Sequence, residues 1–270
     1  MWDEDLEDAS RRKLAWLIGA VVAAAVAAGG WYWYSGRERT LPPPPPVHTA
    51  APQPEASTAP PISHPIAGEG VGSVALPALN DSDPVVRDSL VGVFGRAPVE
   101  QFLVPQNIVR HIVVTVDNLP RHKVAVELRP VKPTAGQTVT SSQGEVTTLS
   151  EANFARYAPL MRVVQGSDVK TLAVVYERLY PLFQQAYEDL GYPGKYFNDR
   201  LVEVIDQLLQ TPEVRAPIQL VQPKVFWEYA DASLENRPAG QKLLIRMGPQ
   251  NARIIKAKLR EFRAEIANKK

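Results

Sequence analysis

Tyr176, Tyr180, Phe183 and Tyr187 follow one another at intervals of 4, 3 and 4 residues, so a helix through them carries all four on one face. Leu172, Leu179 and Leu190 flank the stripe, and Tyr192, Tyr196 and Phe197 come soon after. Two chemistries suit such a face. One is an aromatic groove for a glycan or a peptide, with the hydroxyls as polar handles. The other is a core seam whose hydroxyls reach its rim, which is the commoner use of this spacing. The four rings are kept as candidate binding residues. A second helix face gathers Asp199, Glu203 and Asp206 opposite Leu201, Ile205 and Leu208. Paired carboxylates can hold a metal or move protons, but an amphipathic helix puts charge outward simply because that side is wet.

The strongest charge asymmetry lies between residues 240 and 270, where nine basic side chains face only Glu261 and Glu265. Arg253, Lys256, Arg260 and Arg263 stand above an apolar stripe of Ile255, Leu259, Phe262 and Ile266. That face is a candidate contact for anionic lipid, peptidoglycan carboxylates, nucleic acid or an acidic partner, and these four are the second set of candidate binding residues. Ser167-Asp168-Val169-Lys170 fits the S-x-x-K string of penicillin-binding serine enzymes but has no K-T-G companion, and a helix-capping serine explains it as well. His111 and His122 flank Asp117 at a spacing that matches no metal-ligand pattern. No HExxH, P-loop or G-x-S-x-G occurs. No catalytic residue, metal or cofactor is expected.

The elements that must position these residues can be read in outline. Asp83-Pro84 starts a helix to about Gly95, with Asp83 as its cap. A second helix spans about Pro105 to Asn118, and Val124, Val126 and Leu128 alternate as a strand would. Val139 to Leu149 reads as a hairpin around Gly144. Helices follow from Ser150 to Gln165, from Ser167 or Asp168 through a kink at Pro181, from Asn198 to Gln210, and from Pro249 to Ala267. Short strands are expected at Ile218–Gln222 and Val225–Tyr229. The fold class is mainly α with a minor antiparallel β element.

Composition sets the outer limits. The chain has 270 residues, 25 prolines, no cysteine and a formal charge of +1. Without cysteine there is no disulfide scaffold, thiolate-bound metal or thiol nucleophile. The neutral total gives nucleic acid no whole-chain attraction, and none is expected as a partner. Residues 1–13 are acidic and then basic, and residues 14–34 (LAWLIGAVVAAAVAAGGWYWY) carry no charge and end in four aromatic rings. A stretch of about 20 such residues suits a membrane-crossing helix, with a cleaved signal peptide as the rival reading. Residues 35–75 form a Pro/Ala-rich linker, ten prolines lying between 40 and 75, and are expected to be disordered and extended. Residues 76–270 are the globular, mostly helical domain.

Four strings, VTVDNLPR, NFARYAPLM, RLYPLFQQAYEDLGYPGKYFNDRLVEVIDQLL and QKLLIRMGPQNARIIKAKLREF, resemble a bacterial family of domains of unknown function, number 3014, over about residues 76–267. The resemblance implies an N-terminal membrane segment, a proline-rich spacer and this domain in Gram-negative bacteria, with no assigned activity and no catalytic residues to carry over. Together these readings give a single-pass inner-membrane protein anchored through 14–34, its N-terminus cytoplasmic and its domain periplasmic. The expected function is non-enzymatic: binding or scaffolding of an envelope protein or peptidoglycan. The alternative is an envelope hydrolase that uses the aromatic groove and a carboxylate such as Glu188 or Glu203.

Overall fold

A long helix with aromatic residues every three or four positions needs partners for that face, and the domain is arranged to supply them. The computed structural model describes residues 61–66 and 75–267. The helices are α1 (Asp83–Phe94), α2 (Arg96–Phe102), α3 (Ile108–Asn118), α4 (Ala152–Ala155), α5 (Ala158–Gly166), α6 (Val169–Asp189), α7 (Phe197–Leu209), α8 (Ala232–Glu235), α9 (Ala239–Met247) and α10 (Pro249–Ala267). A four-stranded antiparallel sheet in the order β1 (Thr140–Gln143), β2 (Val146–Leu149), β3 (Gln219–Val221), β4 (Glu228–Tyr229) sits beside them. The chain is mainly helical with a small antiparallel sheet, as its periodicities imply.

The main core forms around α6, whose Tyr176, Leu179, Tyr180, Phe183 and Tyr187 meet Ile108, Val109 and Val113 of α3, Phe197, Val202 and Ile205 of α7, and Ile266 of α10. Each large apolar side chain buried there contributes roughly 1.5–3 kcal/mol relative to exposure. Asp168 caps α6 by accepting from the Lys170 N–H, and the helix runs unbroken past the exposed Pro181. On that wet side the carbonyl left without a donor can turn to water. A second core joins Leu149, Ile218, Leu220, Tyr229, Leu234 and Ile245 under the sheet.

Several expectations need correction. Asp83 does not cap its own helix. Its carboxylate accepts from the N–H groups of Asn107 (2.7 Å) and Ile108 (2.8 Å), so it caps α3 from the neighbouring helix. The alternation at Val124–Arg129 forms no strand. Val126–Leu128 is a 3-10 turn with Val126 55% and Leu128 41% exposed, since no neighbouring strand is there to pair with it. The helix expected from Ser150 breaks into α4 and α5, with Pro159 in the first turn of α5. The short helices α2, α8 and α9 were not expected.

The expectation of a single-pass inner-membrane protein with a periplasmic domain is also corrected: among the described residues no helix is long and apolar enough to cross a membrane. The segment 14–34 on which it rested lies outside the described residues, as does most of the expected linker. Within that linker, however, residues 61–66 pack on the domain and Ile66 joins the main core, 7% exposed. We call 61–66 the strap.

Candidate functional site

Asp117 lies in the last turn of α3, where helix carbonyls repel a carboxylate. It is nevertheless buried, its side chain only 4% exposed, so cations and donors must hold it. Arg121, one turn on, donates to Oδ2 through Nη2. Tyr192 donates its hydroxyl to the same oxygen at 3.2 Å. From α7, Arg200 Nε reaches Oδ1 at 3.2 Å and Nη2 reaches the Asp117 carbonyl at 3.1 Å, while Nη1 binds Glu203 at 2.8 Å. Burial works against the Arg200 charge, yet Glu203 and Asp117 hold its pKa above the ordinary arginine value.

The loop between α6 and α7 supplies the aromatic wall. Gly191 and Gly194 adopt φ of 108° and 74°, which lets the chain reverse tightly. Gln184 pins the loop: its Oε1 accepts from Tyr180 and from the Phe197 N–H, and its Nε2 donates to Glu188 and to the Lys195 carbonyl. Tyr192 is thereby stacked on Tyr187 with centroids 4.6 Å apart and planes 22° from parallel. Lys195 Nζ stands 5.5 Å from the Tyr192 ring centre. Burial pushes the Tyr187 hydroxyl up to about 12, against the pull of Arg200. Tyr187, Tyr192 and Lys195, with Asp117, Arg200, Glu203, Tyr196 and Asp199, line an open cleft of about 400 Å³.

The strap forms its remaining edge, Pro61 and Ser63 lining the cleft. Asp199 accepts the Ser63 N–H at 3.0 Å and the His64 N–H at 2.7 Å, one on each carboxylate oxygen. Asn198 donates to the His64 carbonyl at 2.8 Å and to the Ile266 carbonyl at 3.1 Å. Its own oxygen accepts the Tyr176 hydroxyl at 3.0 Å, which fixes the amide's orientation. The His64 ring Nδ1 lies 3.2 Å from the Ala267 carbonyl. A six-residue segment, bent at Ser63 and His64, is thus gripped through its backbone by side chains of α7, with Ile66 as an apolar anchor.

Among the residues singled out by spacing, Tyr176, Tyr180, Phe183 and Tyr187 are all buried. They make core, and as a groove they are closed; Tyr187 alone also lines the cleft. The basic stripe of α10 is largely committed within the fold. Arg253 forms a two-point pair with Glu213 (3.2 and 2.9 Å), and Arg263 with Asp206 (2.5 and 2.8 Å). Lys256 donates to the Thr211 carbonyl at 2.8 Å, and Arg260 is exposed. The carboxylates of α7 divide likewise: Asp199 takes the strap, Glu203 takes Arg200, and Asp206 takes Arg263. Ser167 of the S-x-x-K string donates its hydroxyl to the Val164 carbonyl at 2.8 Å, ending α5. Asp117 turns to arginines rather than to His111 or His122. Spacing did not single out Asp117, Arg121, Lys195, Asn198, Arg200 or the strap as one site; the i, i+4 pair Asp117/Arg121 and the i, i+3 pair Arg200/Glu203 were its local traces.

Residues 108–263 match the model of a protein family described as protein of unknown function (DUF3014). The match runs from the start of α3 into α10 and so takes in the domain's side of the cleft, a shorter stretch than 76–267. No curated protein and no solved structure matches the chain.

Proposed function

The chain belongs to this family of proteins of unknown function, and from its geometry we propose that the domain is a non-catalytic binding module for a short polypeptide segment. The cleft between the end of α3, the loop after α6 and the start of α7 is its recognition surface. One observation carries the reading: the strap lies along the cleft, held by two backbone N–H groups on Asp199 and one carbonyl on Asn198. Main-chain hydrogen bonds supply affinity irrespective of sequence, and side-chain pockets add specificity. The cleft carboxylates favour binding over hydrolysis, because Asp117 and Glu203 are engaged by guanidinium groups and Asp199 by the strap's N–H donors, so each is already committed to a partner within the chain.

The strap competes in cis for its own site, and a tethered ligand has a high effective concentration. The test therefore uses the full chain with Ser63→Pro and His64→Pro, which removes both N–H donors. A fluorescent peptide, STAPPISHPI, repeating residues 57–66, should bind this variant and should not bind the unaltered chain. Adding Asp199→Ala should abolish binding. No uptake by the strap-disabled chain would end the proposal.

A further inference from the structure

We propose that this chain joins a second copy of itself head to tail: Phe226 and its apolar neighbours on one copy enter an apolar groove between α1, α2 and α5 of the next. Neither surface is part of the cleft, so the inference stands apart from the reading above.

The plug is the segment that connects β3 to β4. Val225 is 78% and Phe226 79% exposed, although both are large apolar residues and adjacent in the chain. Hydrogen bonds hold the segment in shape: Gln222 Nε2 donates to the Val225 carbonyl at 2.9 Å and Arg246 Nη2 to the Trp227 carbonyl at 3.2 Å. Trp227 packs against the core under the sheet and anchors it. The pairing of Thr147 with Leu220 sets Val146 beside Val221, and both are nearly half exposed. This end of the sheet is therefore an apolar face with a ring at its tip, and such a patch marks a contact surface. Held in place before contact, it loses little freedom on docking.

The groove has the size and lining for that ring. Gly95, at φ 83°, turns the chain from α1 directly into α2. Leu90, Phe94 and Phe102 of these helices line an open groove of about 180 Å³ with Leu160, Val163 and Val164 of α5, and all ten of its lining residues are apolar. An apolar cavity of about 150 Å³ accepts one benzene ring. Drug-sized ligands occupy pockets of about 300–1,000 Å³ with a few polar groups to orient them, and this groove has neither the volume nor the groups. What fits it is an apolar side chain, and the chain displays one that its own fold leaves uncovered.

Charge favours the same pairing. Directly adjacent in sequence to the apolar face are Glu145, Glu228 and Lys224; directly adjacent to the groove's lining are Lys132, Arg162 and Glu100. Glu100 is already approached by Arg96 at 3.6 Å. The two faces thus have opposite net sign, which favours plug with groove over plug with plug or groove with groove. Because plug and groove are different surfaces, the contact is heterologous, and each joined pair keeps one free plug and one free groove.

The chain has no cysteine, so introduced single cysteines report this contact without interference. Full-length Lys224→Cys chain is mixed with tagged full-length Val131→Cys chain, whose new thiol lies at the groove, and disulfide-linked mixed dimers are measured after mild oxidation. Leu190→Cys in place of Val131→Cys is the control, since α6 carries Leu190 about 30 Å from Ser167, which borders the pocket adjoining the groove. Linking at Val131 should exceed linking at Leu190 about tenfold. Adding Phe226→Ser to the Lys224→Cys chain, at a site outside the core, should slow linking at Val131 about tenfold, the loss expected for one buried ring. Equal linking at the two positions, or linking at Val131 that ignores Phe226→Ser, would overturn the proposal and leave the groove to an apolar group from another molecule. No linking at either position would overturn it as well.

Discussion

Tyrosine is used in two ways within a few residues of chain. On α6, Tyr176, Tyr180 and Tyr187 recur with the helical period, are buried, and turn their hydroxyls to fixed internal partners or lose them to burial. In the loop that follows, Tyr192 and Tyr196 have no period to obey and are partly exposed at the cleft. Their environment is polar: Tyr192 joins an aspartate and an arginine at its hydroxyl and a lysine at its face. A regular element turns aromatic residues into core because its partner helices cover one face. A loop held by neighbours can leave a ring partly exposed among polar groups. The difference teaches that the periodic residues hold the site's floor and the aperiodic ones form its surface.

The largest effects should separate these two roles. Phe183→Ala, in the middle of the core stripe, should cost about 3–5 kcal/mol in urea denaturation. Tyr192→Ala removes a stacked ring and its hydroxyl bonds and should cost only about 1–2 kcal/mol, its chief effect falling on peptide binding. Equal stability losses would collapse the distinction. Next in size is Asp117→Asn, which leaves the Arg200 guanidinium, 19% exposed, without its buried anion. A loss of about 2–4 kcal/mol is expected, measured the same way, since the charge left behind is partly hydrated.

Smaller again is Tyr176→Phe, which keeps the ring in the core and deletes only the bond to Asn198. It should cost about 1 kcal/mol and speed hydrogen exchange at the Ser63 and His64 amides, because the amide that holds the strap is no longer oriented. Unchanged exchange there would uncouple core from cleft. The last test is alkaline. Burial pushes the hydroxyls of Tyr187 and Tyr229 up to about 12 from an ordinary 10.0, so the folded chain resists ionising them. Their contribution to stability is complete below pH 10 and is lost as pH rises towards 12, with no change near neutrality. Absorbance titration should find phenolate from these two groups appearing late and together with unfolding.

How far the sequence could be read depended on whether a residue's partner was local. The α6 stripe, the hairpin at Gly144 and the caps of α6 depend on neighbours a few positions away, and spacing revealed them. Val124, Val126 and Leu128 alternate perfectly well, but a strand also needs a second strand, and composition cannot say that none is near. Asp83 looked like the cap of its own helix because the helix it serves begins 25 residues later. The site was less legible for the same reason. Arg200 finds Asp117 from 83 residues away, and the strap finds Asp199 from 136. The proline-rich stretch reads as a passive spacer by composition, and a docked hexapeptide within it changes that composition by almost nothing. The basic helix misled in the opposite direction: its charge was plain, but its acids sat on other elements.

Asn198 holds the strap at His64 and the last turn of α10 at Ile266, so both ends of the described domain are fastened at one side chain. This has a mechanical consequence. Tension applied to the chain ahead of Pro61 reaches the domain first at the Asp199 and Asn198 hydrogen bonds and at the buried Ile66, not at α1. The three bonds and the apolar plug are pulled before any helix is, and their rupture would lengthen the chain while opening the cleft. A force that frees the strap would, by the same act, vacate the binding site.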